Sequence, residues 1–339
     1  MEIGDIPQSI RGDPWFEDGN IILLADSDES TAVAFKVHRG VLARQSEIFQ
    51  SLFEVAQPPP DSETIEQCPV IRMHDIPVEL SNLIKALYDG PHGLNTEHLP
   101  GIDSFFYVAG ILRISTKYCI ASLRSQAIRH LTQTWSYTLR GHDDMLNRAL
   151  NTSEERGLSY PYVHPLHVLN LARAVDVQII VPSALYFLSL YPLDDILRGD
   201  HPKLLVEHPS RPPSELNAQD LKSYTLMFQY RLQLVLDFVR KTCGARTLSV
   251  KCANEQRCRK GFAQLANRLS REWVMRTGPI HFMSQSINEL NGFQDVCTSC
   301  RVNFRKDVTK AREDAWMNLP LAIGLPPWDQ LEASDLAKW

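Results

Sequence analysis

The sequence holds little of what catalysis or membrane insertion would need. It has no glycine-rich nucleotide loop, no G-x-S-x-G elbow and no H-E-x-x-H pair, so no enzyme class is indicated and no catalytic residue is expected. It also lacks a long unbroken apolar run. The longest, Val175 to Leu193, is interrupted by Asp176, Gln178, Pro182 and Pro192, and so is too broken to span a bilayer. The opening MEIGDIPQSI has neither the basic nor the apolar block of a secretory leader. Cysteine is scarce and odd in number: Cys68, Cys119, Cys243, Cys252, Cys258, Cys297 and Cys300. With no leader, that count predicts a reducing compartment, cytoplasmic, nuclear or both, where clustered cysteines more often hold metal than form disulfides. There is no internal repeat. The formal net charge is −5, so the overall balance makes a nucleic-acid partner unlikely to be the reading of first choice.

What is present begins with short alternating segments. Ile21 to Leu24 is an apolar run bounded by Asp18-Gly19 and Asp26-Ser27, which predicts a strand and a turn. Val33, Phe35 and Val37 alternate with Ala34, Lys36 and His38, the period of a half-buried strand. The two make a hairpin. Helical spacing follows. Ser46 is suited to cap a helix in which Phe49, Leu52 and Phe53 share one face, stopped at Pro58-Pro59-Pro60. Pro69 to Met73 predicts a third strand. Pro77 opens a helix with Leu80, Leu83, Ile84 and Leu87 as its stripe, and Asp89-Gly90-Pro91 ends it. Two more helices are predicted, Ile102 to Ile114 and Cys119 to about Trp135. The whole is an α+β unit of single-domain size.

Within this unit, "AFKVHRGVLARQSEIFQSLFE" resembles the BTB/POZ signature at Phe35, His38, Arg39, Val41, Leu42, Ser46, Phe49 and Phe53. The upstream strand and "VIRMHDIPVELSNLIKALYDG" fit it too. The match runs from about Trp15 to Trp135, and the wording is most similar to the expanded BTB families of mushroom-forming (basidiomycete) fungi. The resemblance implies a non-catalytic fold with a small sheet and helices. Such domains dimerise, bind other BTB chains, recruit corepressors or serve as cullin-type ubiquitin ligase adaptors. It also implies that Arg39 is the basic member of a charged pocket, whose acidic partner falls at Asn20, or at Asp18 in a shifted register. An arginine without its aspartate suits a buried pocket poorly, which argues against the corepressor groove. His38 reads as a structural histidine, since no partner nucleophile accompanies it. Cys68 and Cys119 read as packed thiols.

Beyond this module the chain reads as mostly helical. Residues 138–160 are polar and predict a linker. Residues 161–242 predict a helical extension: helices near Leu166 to Ala174 and in "VPSALYFLSL", a proline-rich surface loop from Asp200 to Pro213, then a long helix opened by Asn217 and Asp220 with Leu221, Tyr224, Phe228, Leu232, Val235 and Val239 inward. Residues 243–318 carry the cysteines, and 319–339 predict a proline-broken tail. Cys252 and Cys258 are five residues apart, and Cys297 and Cys300 form "CTSC". Four such thiolates make a closed structural zinc site, the favoured reading, with Cys243 or His281 as substitute ligands. The competing reading is four unrelated free cysteines. A redox pair ranks lower, because no thioredoxin-like unit surrounds the motif. The helix after "CTSC" carries Arg301, Arg305, Lys306, Lys310 and Arg312, balanced by Glu313 and Asp314; a solvated face is preferred over nucleic-acid contact.

These observations predict a protein–protein interaction module that pairs chains, dimeric, with protein partners, cullin among the candidates, and with no membrane. The alternative is a nuclear transcriptional regulator contacting nucleic acid through a zinc-stabilised C-terminal region.

Overall fold

The protein is described here from a computed structural model, which covers residues 9–26, 31–55, 64–90, 94, 96, 99 and 101–336. The predicted stop at Pro58-Pro59-Pro60 lies outside these residues. The N-terminal sheet has five strands: β1 (Ser9–Arg11), β2 (Ile21–Asp26), β3 (Ala32–Val37), β4 (Thr64–Ile65) and β5 (Cys68–Met73). Their spatial order is β1-β3-β2-β5-β4. The expected hairpin is β2 antiparallel to β3, while β5 joins β2 in parallel and so needs the crossover that the intervening helices supply. Strand alternation then sorts the side chains. Ile21, Leu23, Phe35, Val37, Ile71 and Met73 enter the main core, whereas Ile22, Leu24, Ala32, Ala34 and Cys68 form a second cluster on the opposite face, under Trp15, Ile65 and Val70.

That second cluster corrects the half-buried reading of β3. Both of its faces are covered, and Lys36 is buried because its ammonium bonds the Glu66 carboxylate at 3.0 Å and the Glu17 carbonyl at 2.9 Å. The helices of the module are α1 (Arg39–Gln45), α2 (Glu47–Val55), α3 (Pro77–Tyr88), α4 (Gly101–Lys117) and α5 (Ala121–Thr134). Ser46 does two jobs at the start of α2. Its Oγ accepts the Phe49 amide at 3.1 Å and donates to the Tyr118 carbonyl at 2.6 Å, which fixes α2 to the end of α4. Cys68 is packed as expected, its thiol donating to Gly19 O. Cys119 is not: it sits exposed on the tight turn between α4 and α5, at φ 52°.

Three further expectations are corrected beyond Trp135. The stretch read as the start of a linker holds α6 (Leu139–Asn151), capped by Thr138 Oγ1, which accepts the Gly141 amide. Asp143 and Asp144 made the segment look polar, yet the spacing of His142 and Met145 turns both into the core. The loop from Asp200 to Pro213 is partly interior: Leu204 and Ser210 are buried, and the His208 ring stacks on Phe106 at 4.6 Å. The supposed tail is also docked. It forms α14 (Leu319–Ala322) and α15 (Trp328–Leu336); Trp328 stacks on Trp316 at 5.7 Å and donates its indole N–H to Trp316 O. Asp335 takes the backbone amides of Gln178 and Ile179, each at 2.7 Å.

The middle of the chain supplies α7 (Pro165–Ala174), α8 (Val181–Leu188), α9 (Leu193–Arg198) and α10 (Ala218–Asp237). All eight residues of α8 are buried, the signature of a helix packed all round. As predicted, Asn217 caps α10 by accepting the Asp220 amide at 2.8 Å; Tyr224 and Val235 are buried, but Leu221, expected inward, is exposed in the first turn. A π-helical turn, Phe238–Gly244, continues α10 into α11 (Glu255–Glu272), α12 (Pro279–Asn291) and α13 (Thr298–Met317). These enclose a separate core built on Val235, Phe238, Phe262, Leu265, Met283, Phe304 and Val308. The main core, by contrast, runs unbroken from Ile21 to Leu331.

Two predictions follow from this packing. Burial is the main cause holding His142 at a pKa of about 3, inside a box of Tyr186, Phe187 and Trp316 rings. Burial also brings His164 down to about 3 and His167 to about 4. The unfolded chain protonates these rings near the ordinary value of ~6.5. Folding stability is therefore complete above that pH and is lost as pH falls from it toward the folded values. Urea unfolding at about pH 5.5 should show the protein roughly 4 kcal/mol less stable than at about pH 7.5, with His142→Phe recovering about a third of the difference. Trp328→Ala should cost about 3–5 kcal/mol in the same assay, whereas a loose tail would cost almost nothing.

Candidate functional site

The four cysteines singled out by spacing come together. Asn254 caps α11 through the Arg257 amide at 3.0 Å, which sets Cys258 on the first turn of that helix. Cys297 is the cap residue of α13 and Cys300 lies in its first turn. Cys252 reaches in from the loop before α11. The four sulfurs lie within 4.8 Å of one another. The Cys252 and Cys297 sulfurs are 4.0 Å apart and all four thiols are free, far beyond the ~2.05 Å of a disulfide. Four sulfurs at ~2.3 Å from a tetrahedral ion would be about 3.8 Å apart, so the cluster can close on a metal with small adjustments.

The surroundings suit an anionic, metal-holding group. Two helix N-termini meet at the sulfurs, where the helix dipole favours negative charge. The Cys297 amide donates to Cys258 Sγ at 3.3 Å. Hydrogen bonding from the Ala253 backbone is the main cause that brings the Cys297 thiol down to about 6. Burial pushes Cys258 up, and Cys300 up to about 12. One thiolate set among reluctant thiols is an arrangement that a cation would complete, since a bound metal deprotonates all its cysteine ligands.

A packed floor lies one turn beneath. Phe262 and Phe304, each four residues past a cysteine, have ring centroids 5.6 Å apart. The Arg246 guanidinium sits 4.5 Å from one ring and 5.0 Å from the other, and bonds Asp307 at 2.7 Å. Gly261 lets α11 approach the chain just before Cys297, because a Cβ there would meet Val296 at 2.5 Å. Neither Arg246 nor Gly261 carried a sequence signal. Cys243 and His281, the considered substitutes, are not in the cluster.

The signature residues of the N-terminal module are structural. The His38 amide donates to the Tyr88 hydroxyl at 2.8 Å and its Nδ1 lies 2.9 Å from the same oxygen. Phe16 stacks on Tyr88 at 4.2 Å, closing this junction. Arg39 lies exposed over the Phe53 ring, and the Asn20 side-chain carbonyl takes its backbone amide at 2.8 Å. The Asn20–Arg39 contact is thus a helix cap and not a charged pocket. On the C-terminal basic helix, Arg301 is spent on the carbonyls of Leu290, Phe293 and Val296, and Arg312 on Ile280 O and the Asp143 carboxylate.

Comparison with known proteins agrees with this geometry. The BTB/POZ domain profile matches residues 20–134. No curated protein and no solved structure matches the chain. The match spans β2 to the end of α5, with the signature residues at the junctions just described, and residues 20–134 are accordingly a BTB/POZ domain.

Proposed function

We propose that this protein is an intracellular, cytoplasmic or nuclear, assembly factor whose BTB domain pairs with a second BTB chain and recruits a protein partner. The BTB domain at residues 20–134 carries this reading, because the domain is a protein–protein interaction module and is not catalytic. Within the proposal the chain belongs with the expanded fungal BTB families and acts as a dimer. Cullin-type adaptor activity is the specific output to test. The helical body beyond Trp135 would then present the captured protein, since its main core is continuous with that of the BTB domain and would hold the two in one fixed geometry.

In the same proposal Cys252, Cys258, Cys297 and Cys300 hold a structural zinc ion. The closed four-thiolate set supports zinc, and leaves no open position for chemistry at the metal. The ion would crosslink the loop before α11 to the start of α13, across the small second core.

Sedimentation of the full chain tests the pairing. A dimer that persists at low micromolar concentration is expected, and a monomer at every concentration, with no BTB chain recovered from extract, contradicts it. A tagged chain should retain cullin at near-equal amount in extract if adaptor activity is present; its absence removes that output alone. Metal analysis should find one zinc per chain. Cys258→Ser or Cys300→Ser should release it and destabilise the C-terminal unit by several kcal/mol, part of the roughly 10–16 kcal/mol that structural zinc contributes to small domains.

A further inference from the structure

The net charge of −5 conceals a segregation. Residues 238–317, which enclose most of the second core, hold 15 Lys and Arg against 7 Asp and Glu, while the rest of the chain holds 20 against 33. One unit is therefore strongly basic and the other acidic. Several cations of the basic unit are engaged. Arg246 pairs with Asp307, Arg257 with Asp295, Arg268 with Glu272 and Glu289, and Arg301 and Arg312 hold backbone carbonyls. Seven others are exposed and make no side-chain hydrogen bond or ion pair with the described residues: Arg240, Lys251, Lys260, Arg271, Arg305, Lys306 and Lys310. Of these, Lys251, Lys260, Arg305, Lys306 and Lys310 lie within ten residues of one of the four clustered cysteines.

Their placement is set by the cysteine cluster. Lys251 immediately precedes Cys252, Lys260 follows Cys258 by two residues, and Arg305 follows Cys300 by five. Because the four sulfurs lie within 4.8 Å of one another, these three cations come from segments joined at one point. Lys306 and Lys310 lie on the same helix as Arg305. Arg305, Lys306 and Lys310 fall within about 15 Å of Cys300 along the helix axis. Lys306 and Lys310 share one helix face, roughly 6 Å apart along the axis, close to the ~6.8 Å that two nucleotides advance along a strand.

We infer that the cysteine-clustered unit binds the phosphate backbone of nucleic acid through Lys251, Lys260, Arg305, Lys306 and Lys310. The occupant is chosen by charge complementarity. A set of mostly lysine point charges, without bidentate pockets, matches a repeating polyanion better than a single carboxylate. The acidic excess elsewhere in the chain is spread over more than 250 residues, too thin to present a comparable surface from a second copy. The exposed apolar residues of the unit, Val250, Val274, Met275, Val302 and Met317, are spread over a loop, the segment just after α11 and both ends of α13, and offer no continuous stretch of sequence for a lipid surface. The contact would be insensitive to base sequence, since phosphates carry no sequence information. It is separate from the pairing role of the BTB domain and does not rest on it.

The test is fluorescence anisotropy of the full chain with a labelled mixed-sequence DNA duplex over a range of salt. Micromolar binding is expected at low salt, with log K falling against log salt at a slope of about −4, the value for five cations neutralising phosphates nearly fully. Duplexes of unrelated sequence should bind within a few-fold of one another. The triple variant R305E/K306E/K310E changes only exposed side chains and should melt at the parent temperature. It should bind at least tenfold more weakly, with the slope reduced by about 3. Arg140→Glu with Arg148→Glu, on the exposed face of α6, should leave binding unchanged. No binding at low salt overturns the inference, as does binding that survives the triple reversal. Salt-sensitive self-association without duplex binding also overturns it and assigns the surface to a second copy of the chain.

Discussion

Helix α4 has almost no side left for water, and the arrangement of the described residues up to Asp237 depends on that. Ten of its seventeen residues are buried, from Ile102 to Ser115. A helix of this kind cannot be stable with only a small sheet on one side, because its opposite face would remain apolar and wet. It packs against α3 and α5 within the BTB domain and also against α7 beyond it. Arg113 marks the join: its guanidinium meets the buried Glu79 carboxylate on one side and the Ser210 carbonyl at 2.8 Å on the other. A carboxylate buried at that depth requires such a partner. The helical body is therefore a continuation of the BTB core and not a separate bead, and the docked α15, lying against α5, completes the same enclosure.

The second core obeys a different constraint. It is smaller, it hangs from the C-terminal end of α10, and its helices are crossed by charge. The first turns of α11 and α13 bring four cysteines to one point, and Phe262, Phe304 and Arg246 form a packed layer below them. A compact unit with few apolar residues gains most from a crosslink that ties distant segments together. The excess of basic side chains on its surface works against compaction. A four-thiolate metal centre, with a net charge of −2 for a divalent ion, would offset part of that repulsion.

Much of this was legible in the sequence where a local physical rule acts on one or two residues. Ser46 and Asn217 announce helix starts, Pro77 stands where a first turn tolerates it, and the period of two over Val33 to Val37 marks a strand. The C-x-x-C at Cys297 and Cys300 identified half of the cluster, and pairing it with Cys252 and Cys258 found the rest. Averages hid the remainder. Asp143 and Asp144 coloured α6 as a linker, although the inward positions are His142 and Met145. Pro326 and Pro327 read as a break, yet Pro327 O accepts the Leu331 amide and so opens α15. Strand β1 is three exposed residues with no period to detect. The basic surplus near the cysteines cancelled against the acidic remainder of the chain.

Hydrogen exchange of the full chain with and without a zinc chelator tests this two-core account most directly. Chelation should remove amide protection from the second-core helices between Asp237 and Val308 and leave the BTB domain, α4 and α8 as protected as before. Loss of protection throughout the chain would contradict the account by making the two cores one cooperative unit. No loss anywhere would contradict it by showing that the cysteine cluster closes the second core without a metal.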